Sequence, residues 1–387
     1  MKTLICLLSA QPVPNLMSCK TLRPERIVLV ETSKMQKLNV AKNFQDALKK
    51  MKIDVETRVV NVPEGKDNNF PFLMNFFDTE LRQVFPEDHF FLNLTGATKP
   101  MSIALYETFQ NHPQAEFYYF DVDHPCEIID FLKYKSFPVG QIPLAAFLAG
   151  YGYQTSKEAK HINTAENISL SRAQTTNLLA QKCNAGNFRI WAPGMRDWII
   201  KAQKKSSSIL TPGILVPSHP EIAAQLAKQF KLQKCPDGSL QGKITKYDIK
   251  YLDGGWLEEF VWITLNQFKK QFHLKDLHLG QEIQKNGSKN DLDVSFMRNN
   301  TFYVLECKTG LQEKMQENQY KLFAVSKQLQ AISTKTFLIS NSATISDENV
   351  KERAQLHSTT LIDKEQIHKL ALDPEKELEK LFNPQKK

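Results

Sequence analysis

Phe90-Phe-Leu-Asn93-Leu-Thr95-Gly96-Ala97-Thr98-Lys99-Pro100-Met101 reads as a buried strand, a glycine turn and the first turn of a helix. The apolar run ends at Gly96, whose missing Cβ lets the backbone turn tightly. Pro100 suits a first helical turn, because the N–H it lacks would be unpaired there anyway. Thr95 and Thr98 supply hydroxyls, and Lys99 puts a positive charge at a helix start, where free amides already favour anions. A phosphate would fit this turn, although a plain threonine-capped helix start is spelled the same way. It is not a Walker loop, which needs four residues between its first glycine and the Gly-Lys pair.

The surrounding sequence repeats the strand-helix rhythm. Leu4 to Leu8, Ile27 to Val30, Val55 to Val60 and Phe117 to Phe120 are further apolar strands. Between them, Met35, Leu38, Ala41, Phe44, Leu48 and Met51 recur at helical spacing, as do Leu73, Phe76, Phe77, Leu81 and Val84. Such alternation predicts an α/β, Rossmann-like domain with a mostly parallel sheet that binds ligands at its carboxyl edge. Ser9-Ala-Gln11-Pro-Val-Pro-Asn15 leaves the first strand at that edge, so it and the Thr95 to Lys99 turn are placed to share a ligand.

A chain of 387 residues, 41% hydrophobic and 24% charged, is long enough for two folded domains. The formal charge of +8 permits polyanion binding without requiring it. Cysteines 6, 19, 126, 183, 235 and 307 form no Cys-x-x-Cys, and the nine histidines form no ligand pattern, which argues against disulfides, zinc and histidine-based chemistry. Leu4 to Leu8 is too short for a signal peptide, and nothing approaches the roughly 18 apolar residues of a membrane span. A cytoplasmic protein away from membranes is expected.

Three segments follow: the Rossmann-like domain at 1–140, a mainly helical connector at 141–245, and an α+β domain at 246–387. The connector's helical stretches (Ala165 to Lys182, Met195 to Lys205, Glu221 to Phe230) are interrupted by Pro193, Pro212-Gly213, Pro217 and Pro236-Asp-Gly238. The last segment predicts α-β-β-α-β: a helix from Trp256, a hairpin, a helix from Lys314 to Ile332, and a strand Thr336 to Ser340.

That hairpin carries the chemistry. In Thr301-Phe-Tyr-Val-Leu-Glu306-Cys-Lys308-Thr-Gly310, strand alternation puts Glu306 and Lys308 on one face. Arg298-Asn-Asn-Thr301 would turn the chain back from Asp291-Leu-Asp293-Val-Ser-Phe296, laying an acid beside Glu306. A lone Glu–Lys pair is usually a surface ion pair. Here the strand is otherwise apolar, and a further acid, Glu258 or Glu259, sits in the preceding helix. Hydrolysing a phosphodiester needs an activated water and neutralisation of charge on phosphate, which hard divalent cations supply. Asp293 and Glu306, with the Cys307 carbonyl, are candidate ligands for Mg²⁺ or Mn²⁺, and Lys308 would orient water and stabilise the phosphate. Leu292 and Val294 flank Asp293 in strand alternation, which favours it, while Asp291 shares its face and stays in reserve.

Thr95-Gly96-Ala97-Thr98-Lys99 with Met101 resembles the Thr-Gly-Gly-Thr-Lys loop of the CRISPR-associated Rossmann fold (CARF) sensor domain, Ala97 replacing the second glycine. Gly255-Trp-Leu-Glu258, Asp293 and Glu306-Cys-Lys308 resemble the PD-(D/E)XK nuclease superfamily. The combined order is similar to the single-CARF accessory nucleases of type III CRISPR systems. That resemblance implies an antiviral homodimer, activated by cyclic tetra-adenylate, that cuts single-stranded DNA or RNA or nicks duplex DNA. It implies Glu258, Asp293, Glu306 and Lys308 as catalytic residues. Activator contacts would be Gln11, Asn15, Asn93, Thr95, Gly96, Ala97, Thr98, Lys99 and Met101. Tyr320-Lys-Leu322 also resembles the family, whereas Leu329-Gln-Ala331 departs from its Leu-Gly-Gly turn. Two other classes compete: a nucleotide-sensing DNA-binding regulator that does not cut, and an ungated restriction or repair endonuclease.

Overall fold

A computed structural model describes residues 1–121, 126–155, 159–204, 209–211, 213–309 and 334–383. The N-terminal sheet has strand order β3-β2-β1-β4-β5-β6-β7. It comprises β1 (Lys2–Leu7), β2 (Arg26–Thr32), β3 (Glu56–Val62), β4 (His89–Asn93), β5 (Ala115–Phe120), β6 (Glu127–Asp130) and β7 (Lys135–Pro138). The first five are parallel, and β6 and β7 add an antiparallel edge that the sequence reading did not anticipate. Central parallel strands are buried on both faces, which is why β1 is an unbroken apolar run. Leu4 and Cys6 pack with Phe44 on one face, and Ile5 and Leu7 pack with Phe77 and Phe90 on the other.

Helix α1 (Val13–Leu22) starts where a loop was expected. Pro12 stands just before it and Pro14 lies in its first turn, where a missing N–H costs nothing, so Asn15 belongs to a helix and not to a strand exit. The expected helix Met35 to Met51 is split at Asn39, whose φ of 55° is left-handed, leaving α2 (Val40–Lys50) as its long part. Helix α3 (Lys99–Phe109) follows the Gly96 turn.

The C-terminal sheet runs β12-β11-β10-β9-β8, with Gln154–Thr155 as a further edge strand. Its members are β8 (Lys275–Lys285), β9 (Ser288–Arg298), β10 (Thr301–Lys308), β11 (Thr334–Ser340) and β12 (Thr359–Ile362). Strands β8 to β10 are antiparallel, and β10 to β12 are parallel. Asn299 and Asn300, at φ of 51° and 56°, make the two-residue turn between β9 and β10, and both positive values suit the twist of a tight hairpin. The expected α-β-β-α-β order therefore gains a strand, β8, between its first helix and the hairpin. The expected helix Lys314 to Ile332, Gly310, Tyr320-Lys-Leu322 and Leu329-Gln-Ala331 lie outside the described residues.

The middle segment shares a core with the C-terminal sheet. Short helices broken by proline cannot bury their own apolar faces, and Leu179, Leu215, Leu226 and Leu240 pack into one cluster with Trp256, Phe260, Phe296 and Tyr303. Helix α4 (Leu144–Gly150) backs the opposite face of that sheet, the Phe147 ring centroid lying 5.3 Å from that of Phe302. Val13 and Met17 of α1 belong to the same cluster, so the two sheets are joined by continuous apolar packing. Two further helices place site residues: the short α5 (Lys246–Lys250) and α6 (Trp256–Gln267). Among the described residues no helix is long and apolar enough to cross a membrane.

Candidate functional site

Strand β1 lies between β2 and β4, so the turns leaving β1 and β4 flank the crevice where the sheet order reverses. Gly96, at φ 137°, lets these turns touch: a Cβ there would stand 2.7 Å from the Leu7 carbonyl oxygen. Ala97 takes φ 55°, a left-handed conformation that costs an alanine about 1 kcal/mol relative to glycine. Beneath the turns, the buried Asn93 donates through Nδ2 to Asn15 Oδ1 at 2.7 Å and Ser18 Oγ at 3.0 Å, and accepts from the Thr95 amide at 2.9 Å. Asn15 donates to the Leu7 carbonyl at 3.0 Å. These two asparagines thus tie one turn to the other.

Several side chains expected at a ligand are engaged by the protein. Thr95 Oγ1 accepts from the Phe120 amide at 2.6 Å, while Thr98 Oγ1 caps α3 and donates to the Asp67 carbonyl at 2.9 Å. Met101 lies in the core with no exposed surface. Gln11 Oε1 accepts from the Tyr151 hydroxyl at 2.9 Å, and Lys99 is exposed at the start of α3. Asn93→Ala should strand three polar partners below the turns and cost about 3 kcal/mol. A lowered thermal midpoint accompanied by weakened ligand binding checks it; an unchanged midpoint would deny the tie.

In the second domain, Val294 opposite Leu305 sets Asp293 beside Glu306. Lys308 Nζ lies 2.8 Å from Glu306 Oε1 and 3.2 Å from Asp293 Oδ2, bridging the two carboxylates. The Cys307 amide also donates to Asp293 Oδ2, at 2.8 Å. Asp291, two residues back, is exposed. Burial alone would depress the Lys308 pKa, yet Asp293 and Glu306 outweigh it and hold the ammonium well above its usual range. Burial, then the charges of Asp293 and Glu258, pushes the Cys307 thiol up.

Helix α6 supplies the third acid. Gly254 breaks the helical path just before it, with φ 144°, and turns Glu258 towards the strands. Burial, then the Asp293 charge, raises the Glu258 carboxyl to about 8, with Lys250 and Lys308 pulling the other way. Glu259 is engaged elsewhere: its Oε1 lies 3.2 Å from Arg172 Nη1, and burial raises it to about 7 against that guanidinium. Nothing in the local sequence distinguishes the two glutamates, because Arg172 is remote along the chain. Both carboxyls sit above their unfolded value of about 4.5, so their contribution to stability is present below that pH and is lost as pH rises through about 7 to 8. With divalent cations chelated, the thermal midpoint should fall over that window, and Glu258→Gln should flatten the upper part; a midpoint level from pH 5 to 8.5 would contradict this.

Among the described residues no group of three or more His, Cys, Asp or Glu side chains is placed to hold a metal ion. The donors of Asp293, Glu306 and the Cys307 carbonyl are nevertheless hard oxygens of the type Mg²⁺ and Mn²⁺ prefer. Lys308 already marks where positive charge belongs between the two carboxylates. Beside Glu258 opens a cleft of about 280 Å³, lined by Ile168, Tyr247, Lys250, Leu279 and Gly280 among others. Tyr247, on α5, is 67% exposed, unusual for an aromatic ring.

Residues 3–139 match the family model of the Card1 CARF domain, and residues 245–376 that of the Card1-like endonuclease domain. The fold is similar to that of Can2 from Sulfobacillus thermosulfidooxidans in complex with cyclic tetra-adenylate, at 23% identity over 99% of this chain and 100% of the other, with a TM-score of 0.71. It is also similar to protein VC1899 from Vibrio cholerae, at 15% identity over 96% of each chain and a TM-score of 0.75. A type III CRISPR defence DNA nuclease activated by cyclic oligoadenylate aligns at 13% identity over 88% of this chain and 45% of the other, with a TM-score of 0.50. No curated protein matches.

Proposed function

We propose, for a chain that belongs to the CARF-domain endonucleases of the Card1 type, a phosphodiesterase switched on by a cyclic oligoadenylate. The reading rests on one observation above all: in a domain that matches an endonuclease, Lys308 Nζ meets Asp293 at 3.2 Å and Glu306 at 2.8 Å. Cyclic tetra-adenylate is the activator, bound on the turns after β1 and β4 of two copies, because a four-fold repeating ring divides evenly across a two-fold axis. The working protein is then a cytoplasmic antiviral homodimer. Occupancy can shift activity only by binding the cutting arrangement more tightly than the resting one.

Asp293, Glu306 and the Cys307 carbonyl would hold Mg²⁺ or Mn²⁺, which when bound supplies a more acidic water and neutralises charge on the phosphate. Lys308 is too firmly protonated to act as a base, so it contributes charge, facing a non-bridging oxygen of the scissile phosphate. Glu258, with its pKa near 8, can hold or release a proton at its carboxyl close to neutral pH and is the group suited to take one from the attacking water.

The substrate strand occupies the cleft beside Glu258, with a base stacked on Tyr247 and Lys250 near the backbone. Stacking needs an unpaired base, so single-stranded DNA or RNA is preferred over intact duplex, which would at most be nicked. Tyr247→Ala should raise KM for single strands about ten-fold with kcat little changed, as expected for loss of about 1–3 kcal/mol of stacking, and Tyr247→Phe should behave like the parent. Equal KM values would remove Tyr247 from the substrate path.

The decisive experiment incubates the protein with Mn²⁺ and labelled single-stranded DNA, single-stranded RNA and plasmid, with and without cyclic tetra-adenylate. Cutting that appears only with activator is expected. Cutting without it would favour an ungated endonuclease, and binding without cutting would favour the regulator.

A further inference from the structure

A cavity of about 250 Å³ opens where the two domains meet at the carboxyl edge of the N-terminal sheet. The turn after β1 forms one side through Ser9 and Ala10, Lys37 and Asn39 form the next, and Lys285 and Asn286 close it from the other domain. These last two sit at the β8–β9 turn, where Asn286 and Gly287 take φ of 50° and 80°, the geometry of a tight Asn-Gly hairpin. A two-residue turn is stiff, so the hairpin tip presents Lys285 and Asn286 to the cavity as one unit.

Lys285 reaches the N-terminal domain through one residue. Its Nζ donates to the Tyr151 carbonyl at 2.8 Å, and the Tyr151 hydroxyl donates to Gln11 Oε1 at 2.9 Å. The ammonium also lies 5.2 Å from the centre of the Tyr153 ring. Among the described residues no carboxylate pairs with it, and no acidic residue lines the cavity. Lys37, the other lysine there, pairs with the exposed Glu64, at 3.5 Å. Burial correspondingly lowers the Lys285 pKa, with no anion to oppose it. A half-buried cation without a counter-ion, beside asparagine amides and the ligand-facing turn, is a site for an anion.

We propose that Lys285 contacts a phosphodiester of the cyclic oligonucleotide held on the N-terminal turns, so that the nuclease domain itself forms one wall of the activator site. This rests on the sensor reading given under Proposed function. The activator is then gripped by both domains at once, and any displacement of the β8–β9 hairpin relative to the sensor changes its affinity.

Calorimetric titration of the full chain with cyclic tetra-adenylate tests this. Lys285→Ala should weaken binding at least ten-fold, Lys285→Arg should keep most of it, and Lys351→Ala, a surface control on the C-terminal domain, should match the parent. Lys285→Met preserves the aliphatic stem over Tyr153 without the charge, so a ten-fold loss in that variant, with unchanged near-UV circular dichroism, separates charge from misfolding. Binding by both the Ala and Met variants within two-fold of the parent would overturn the proposal and leave the sensor reading intact, as would weakened activation with unchanged affinity. Failure of the parent to bind would sink both.

Discussion

Glu306→Gln should reduce activator-dependent cleavage on the order of 1,000-fold while leaving the fold and activator binding intact. Charge neutralisation at a metal-assisted phosphate is worth several kcal/mol, and about 4 kcal/mol corresponds to three decades in rate. Glutamine keeps the shape of a side chain that is only 3% exposed, so no cavity opens. Lys308 retains Asp293 as a partner at 3.2 Å, so it is not left as an unpaired half-buried charge. Removing one of three neighbouring acids also relieves repulsion on Glu258, whose carboxyl should titrate below its present value of about 8. Single-turnover cleavage with saturating activator and Mn²⁺, beside calorimetry for activator, separates the effects. Cleavage within ten-fold of the parent would remove Glu306 from the metal site; lost activator binding would make the effect one of folding.

The parts of this molecule legible in its sequence are those whose determinants are local. Strands β1 and β4 are parallel and buried on both faces, so they appear as unbroken apolar runs. The β9–β10 hairpin is spelled by Asn299-Asn300 between strands, and alternation placed Glu306 and Lys308 on one face. Strand β8 escaped because Gln281 interrupts the apolar face that Leu277, Leu279 and Ile283 share, although Asn286-Gly287 is itself a strong hairpin signal. Helix α1 escaped because Pro12 and Pro14, which open it, suggested a loop. The assignments of Glu259 to Arg172 and of Lys285 to the Tyr151 carbonyl depend on residues far apart in sequence, which no local pattern encodes. The middle segment looked like a connector because its helices are short and polar, and only packing against Trp256 and Phe296 gives them a shared core.

Gly254→Ala should be the most damaging change outside the acids themselves. At φ 144° an alanine is strained wherever it sits, and here its Cβ would fall 2.0 Å from Thr309 Oγ1. That hydroxyl also donates to the Asp253 carbonyl at 3.3 Å, joining the end of β10 to the start of α6. The two segments brought together there carry Lys308 and Glu258 respectively, so separating them opens the site along the line between its lysine and its third acid. A shift of about 1 Å in such a constellation can cost 10²-fold in rate, and the strained backbone adds about 1–3 kcal/mol of destabilisation. Rate loss and lowered thermal midpoint should therefore appear together. Thr309→Ala in the same chain removes the hydroxyl that clashes but not the strain, so it should recover part of the rate and little of the midpoint. Parental cleavage by the single variant would show that the closure between Gly254 and Thr309 does not set the site's geometry. Equal rates for the single and double variants would trace the loss to backbone strain alone.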